Sequence, residues 1–160
     1  MFLVFLLLSN LAANAAPTPQ LDVPAMEQLA TVIAKGSVNR VCLLKTWVDQ
    51  GYQYGLFECH LEVEQWSKAK GVAKSKTLVY HVNAYMEGLW QSHPPRGFIY
   101  QNTNNALSPG TVLWVYLKPN EQGALVRVHF NSGFEVVTPS NQPFPVRVGQ
   151  CLEASTRPSQ

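Results

Sequence analysis

Val38–Glu64 reads VNRVCLLKTWVDQGYQYGLFECHLEVE, and both arms of this stretch carry apolar residues at every second position. Val38, Cys42 and Leu44 precede the Asp49-Gln50-Gly51-Tyr52 break, and Phe57, Cys59, Leu61 and Val63 follow it. A period of two belongs to a strand with one face against a core. The spacing predicts an antiparallel hairpin turning at Gln50-Gly51, with Gly51 supplying the positive φ that such turns need. Counting back from the turn puts Cys42 directly opposite Cys59. Asp49/Tyr52 is a hydrogen-bonded pair and the pair type alternates, so Cys42/Cys59 is a non-hydrogen-bonded pair, the type with the closer side chains. That approach is within disulfide range, and a Cys42–Cys59 bridge is expected. A longer loop through Tyr52–Gly55 would shift the register and leave two buried thiols or a different pairing. Cys151 is the odd thiol, open to displacing one partner, staying reduced or bridging two chains.

The chain of 160 residues begins MFLVFLLLSNLAANAA. An apolar run from Phe2 to Leu8, a polar break and the A-x-A arrangement of Ala13-Asn14-Ala15 read as a secretory signal peptide, although no Lys or Arg precedes the run. The run is too short to span a bilayer. Three parts follow: a signal peptide over 1–16, one globular domain over 17–152, and a disordered polar tail over 153–160. The expected location is exported, periplasmic or secreted, without stable membrane insertion after cleavage, where disulfides are permissible. A formal charge of +2 gives no global drive toward nucleic acid or anionic membrane, and no nucleic-acid partner is expected.

Pro24 suits the first turn of a helix, and Ala25, Leu29, Val32 and Ile33 fall on one helical face, with Lys35-Gly36 as the stop. A short amphipathic helix must pack on something, and the first hairpin is the expected surface. Lys68, Lys70, Lys74 and Lys76 read as a solvated connection, because no Arg or aromatic is interleaved with them. Thr77–Trp90 is predicted to be strand in its first half. His93–Gly97, with two prolines, is a break, and Gly97–Gln101 a short strand. Thr111–Lys118 and Ala124–Phe130 read as a second hairpin joined by Pro119–Gly123, with Trp114 facing Val128 and Tyr116 facing Val126. Phe134–Thr138 and Pro145–Val148 complete the strands. The fold class is α+β, mainly β: an N-terminal helix on an antiparallel sheet of two hairpins plus short C-terminal strands. In element order alone it resembles the cystatin-like α+β rolls, a likeness that implies no function.

For chemistry, Cys59-His60 cannot act as a pair, since adjacent strand residues point to opposite faces. Glu58, His60, Glu62 and Glu64 share one face and offer a metal or hydrolase site, against the bland reading of a solvated strand face. No second ligand cluster stands at a diagnostic spacing, so no metal and no cofactor are expected. There is no G-x-S-x-G, H-E-x-x-H, C-x-x-C, P-loop or G-x-G-x-x-G. The remaining lead is aromatic. Tyr52 and Tyr54 flank the turn, Tyr100 precedes the amide-rich Gln101–Asn105, and Trp114 lies in the second hairpin. These four are the candidate binding residues, because rings beside amides give contact area at low entropic cost. The reading that follows is an exported, non-catalytic binding protein engaging a protein partner, in an inhibitor, immunity or envelope-complex role. The alternatives are a small cell-envelope hydrolase using the Glu58/His60/Glu62 face, and a carbohydrate-binding module taking envelope polysaccharide.

Overall fold

A computed structural model describes residues 21–86, 105–130 and 132–155. The signal-peptide segment, the predicted 97–101 strand with Tyr100, and residues 156–160 of the tail lie outside them. Helix α1 spans Val23–Leu29, and the strands are β1 (Val32–Asp49), β2 (Tyr52–Ala69), β3 (Thr77–Tyr85), β4 (Val112–Pro119), β5 (Leu125–Arg127), β6 (Phe134–Thr138) and β7 (Cys151–Glu153).

One mixed sheet contains all seven strands. Following hydrogen-bonded neighbours from β1 to β2, β3, β5 and β4 leads back to β1, because β4 also pairs with the first half of β1 from Val32↔Leu117 to Ser37↔Val112. The sheet therefore closes into a five-stranded barrel. Among the described residues its one parallel contact is the single His81↔Val126 pair of β3 with β5. β6 continues β5 along β4, and β7 continues β4 along β1. The sheet expected to be antiparallel is a mixed one closed into a ring: α1 lies outside the barrel, and the sheet curls around its own side chains.

Inside are Val38, Val41, Leu43, Phe57, Cys59, Leu61, Tyr80, Val82, Leu113, Val115 and Leu117, all 1% exposed or less. Closure requires the β1–β2 pair to bend, and its ladder slips between Ile33/Ala34 and Lys35/Gly36, where β2 carries the extra residue, and between Val38/Arg40 and Leu43/Lys45, where β1 does. Gly36 sits at one such point. A Cβ there would run into the backbone carbonyl of Glu62, so only glycine permits the approach.

The predicted turn is present. Asp49 pairs with Tyr52, and Gln50 (φ 49) and Gly51 (φ 82) both take the left-handed conformation of a type I′ turn. From Asp49 back to Lys45 the predicted register holds. The bulge then adds one residue to β1, and beyond it Cys42 faces Glu58 while Val41 faces Cys59. A slip of one residue exchanges the faces of a strand. Cys42 therefore points out of the barrel and Cys59 into it, and the expected Cys42–Cys59 bridge does not form. Cys42 is bonded instead to Cys151, directly across from it on β7, with Cα atoms 4.1 Å apart. Cys59 is a free, buried thiol.

Other boundaries move for similar reasons. The predicted helix stops at Leu29 rather than Lys35, because the β-branched Val32 and Ile33 are claimed by pairing with both β2 and β4. Asp22 caps the start of α1 by accepting from the Ala25 N–H (3.0 Å). At the other end Lys68 donates to the carbonyls of Glu27 (2.9 Å) and Ala30 (2.8 Å). The helix packs by Met26 and Ala30 on Ile33, Tyr116 and Val128, so its surface is shared between the two hairpins rather than given by the first alone. The second hairpin pairs Lys118 with Val126 rather than with Ala124, its second arm is strand only over Leu125–Arg127, and Trp114 faces Glu135 of β6 rather than Val128. The shift at Lys118 is of two residues and leaves the faces as predicted. β6 occupies the predicted range, whereas Pro145–Val148 is irregular and the last strand is Cys151–Glu153, which takes Glu153 out of the expected disordered tail.

Candidate binding groove

The outer face of β2 and β3 is set by what the barrel buries. Phe57 and Cys59 point in, so Leu56, Glu58 and His60 point out. Val82 and Ala84 point in, so His81 and Asn83 point out. Trp47 and Lys45 face Tyr54 and Leu56 across the ladder and share their face. Beyond the bulge the β1–β2 hairpin runs on to its turn, with β2 paired to β3 as far as Tyr54↔Tyr85. On the other side the β4–β5 connection rises, held by the Asn120 carboxamide, which accepts from the Gln122 (3.0 Å) and Ala124 (2.9 Å) N–H groups.

Between these two walls lies a cavity of about 530 Å³ lined by Lys45, Trp47, Leu56, His81, Asn83, Asn120, Gln122 and Val126. Two smaller hollows of about 250 and 230 Å³ adjoin it, both bordered by Asn83 and Phe130. Together they form one groove with Asn83 at its centre. One end is aromatic. Trp47 stacks on Tyr54 with ring centroids 5.8 Å apart and planes 19° apart. Tyr85 meets Tyr54 and Tyr52 edge-on, and Phe130 leans on Tyr54 at 6.5 Å. The Lys45 ammonium sits 5.9 Å from the centre of the Trp47 ring.

Arg127 forms part of the floor. It is 7% exposed, donates to the Asn83 carbonyl (2.6 Å), and lies 5.1 Å from the Phe130 ring centre and 5.7 Å from that of Phe134. Burial lowers its pKa to about 10, so the guanidinium stays charged at neutral pH and fixes a cation beneath the groove. The Tyr54 hydroxyl is held above its ordinary pKa by burial and by Asp49, and remains a donor.

The acidic face suggested by the sequence lies beside this groove and does not line the cavity. Glu58 accepts from or pairs with His60 Nε2 at 2.8 Å and has His81 Nε2 at 3.6 Å. The hydrogen bond with His60 holds the Glu58 carboxyl below its usual pKa. Glu62 is exposed on the far side of His60. Among the described residues no cluster of three His, Cys, Asp or Glu is arranged to hold a metal ion.

Of the four candidate binding residues, the structure brings Tyr52 and Tyr54 together at the aromatic end. Trp114 is remote from them. It is half-buried at the margin of the α1 cluster with Met26 and Tyr116, on the opposite side of the barrel. Tyr100 lies outside the described residues. The sequence reading missed Lys45, Trp47, His81, Asn83, Asn120, Gln122 and Phe130. One signal was available: the predicted register already set Trp47 opposite Tyr54. Lys45, two residues before Trp47 on the same strand face, was within reach of the same reading, whereas His81 and Asn83 of β3, Asn120 and Gln122 of the β4–β5 connection and Phe130 after β5 are brought there only by closure.

No helix among the described residues is long and apolar enough to cross a membrane. The Cys42–Cys151 disulfide fits an oxidising, extracellular type of compartment. No family model matches the chain, and neither curated proteins nor solved structures gave a match.

Proposed function

We propose that the protein is an exported, non-catalytic binding protein that engages a protein partner through the groove between the β1–β2 hairpin and the β4–β5 connection. The carrying observation is the state of the rings. The Trp47 ring is stacked on Tyr54 and has the Lys45 ammonium over it, 5.9 Å from its centre. A sugar ring needs an open aromatic face to lie on, whereas a polypeptide segment can use ring edges, the Tyr54 hydroxyl and the amides of Asn83, Asn120 and Gln122. The fixed positive charge of Arg127 and the ammonium of Lys45 favour a segment carrying a carboxylate. Inhibitor, immunity and envelope-complex roles are all compatible with such a surface.

One observation favours a second reading, a saccharide ligand. Partly open five-stranded Greek-key barrels of the OB type bind oligonucleotides and oligosaccharides on the face of strands 2 and 3, between the loops joining strands 1–2 and 4–5. The groove occupies that position, an analogy of architecture rather than of site chemistry. The hydrolase reading lacks comparable support. Glu58 is held by His60 and His81 and does not line the cavity, and Glu62 lies exposed beyond His60.

The test is capture from envelope and secreted fractions of the host with the mature chain and with Asn83→Arg, which fills the groove from an exposed position. A stoichiometric protein retained by the native chain and lost with Asn83→Arg is the expected result. Retention on envelope polysaccharide that Asn83→Arg abolishes, with no protein captured, replaces this reading with the second.

A further inference from the structure

The outer edge of β1 is occupied in sequence by β4 over Val32–Ser37 and by β7 over Arg40–Cys42, and Leu43 exchanges bonds with Gly149 and Gln150. From Leu44 to Asp49 that edge has no strand partner among the described residues. Which backbone groups it presents follows from the ladder. Asp49/Tyr52 closes the turn as a hydrogen-bonded pair, so Val48/Gln53 is a non-hydrogen-bonded pair. The Gln53 carbonyl indeed turns away from β1 and accepts from the Met86 N–H (3.0 Å). Val48, and Thr46 two residues earlier, therefore direct their N–H and C=O groups out of the free edge.

Exposed strand edges are ordinarily blunted by proline, by bulges or by unmatched charge. This one carries two opposite charges on one face, Lys45 and Asp49, separated by Trp47, and neither has an ion-pair partner among the described residues. On the other face Val48 is 58% exposed and Leu44 41%.

We infer that this edge pairs with the same edge of a second copy of the chain, antiparallel about a twofold axis at Trp47. That register is self-complementary at every level. It sets the outward-facing Thr46 against Val48 of the other copy as hydrogen-bonded pairs, and Trp47 against Trp47 as the closer non-hydrogen-bonded pair. It also sets Lys45 of each copy against Asp49 of the other. Sliding by two residues in either direction keeps the hydrogen bonds but loses both charge pairs. The binding faces of the two copies then lie side by side, joined at their aromatic ends.

Sedimentation equilibrium of the mature chain over a concentration series tests this, with two variants whose changes lie on exposed side chains. Asp49→Lys sets Lys45 against a lysine, and is expected to weaken self-association by roughly tenfold or more. The exchange Lys45→Asp with Asp49→Lys restores opposite charges across the axis, and is expected to recover the native dimer. A native chain that stays monomeric throughout the series overturns the inference. So does a dimer that Asp49→Lys leaves unchanged, or one that the double exchange fails to recover.

Discussion

The two ends of the β1–β2 hairpin share one ladder and differ in almost everything else. At the barrel end β1 is paired on both edges, and Val41, Leu43, Phe57, Cys59 and Leu61 are fully buried. At the tip, from Lys45 to Gly55, β1 is paired on one edge only among the described residues, and its rings are half-exposed and pack on one another. The bulge at Leu44 divides the two. One end is built to exclude water, and the other to present groups to it. A single continuous strand pair can thus serve as both scaffold and site, because burial is decided by what lies across the sheet and not by the hairpin itself.

The largest effect that would sharpen this contrast is expected from paired truncations. Phe57→Ala empties the centre of the barrel and should cost about 4 kcal/mol in chemical denaturation. Tyr54→Ala, three residues nearer the tip, should cost about 1 kcal/mol. Equal losses would break the comparison, since they would make the tip part of the core.

Next comes the clamp that closes the barrel end. The disulfide spans 109 residues and fastens β7 to the part of β1 that β4 does not reach. Replacing both partners, Cys42→Ser with Cys151→Ser, should cost about 3 kcal/mol while leaving the groove intact. In the native protein Cys59 should resist alkylation until denaturant is added, because burial pushes its thiol pKa up and keeps it protonated. Intact mass after alkylation should then show one free thiol per chain. A peptide map joining Cys59 to either other cysteine would overturn the register.

The smallest effect belongs to the outer face. The Glu58 pKa is depressed in the folded state, so its contribution is present above the unfolded carboxyl pKa and is lost as pH falls through the folded value. Glu58→Gln should therefore reduce stability slightly at neutral pH and flatten its decline on acidification below about pH 4.5. An acid limb as steep as the native one would assign that limb to other carboxyls.

Short-range features were legible in the chain. The type I′ turn at Gln50-Gly51, the opposition of Trp47 and Tyr54, the outward row of Glu58 and His60 and the range Phe134–Thr138 all follow from period-two patterning and turn chemistry. These are fixed by residues a few positions apart, and local backbone sterics settle them. What the chain did not disclose depends on closure. The bulge at Leu44 adds one residue to β1 in its ladder with β2, and that one extra residue sends Cys42 outward to Cys151 and Cys59 inward. The same closure brings Asn83, Asn120, Val126 and Phe130 to one groove and carries Trp114 to the far side. Sequence determined which residues turn and alternate, since those are local energies. Tertiary structure decided which faces meet, since a sheet that bends into a ring sets its register by the whole circuit rather than by any one hairpin.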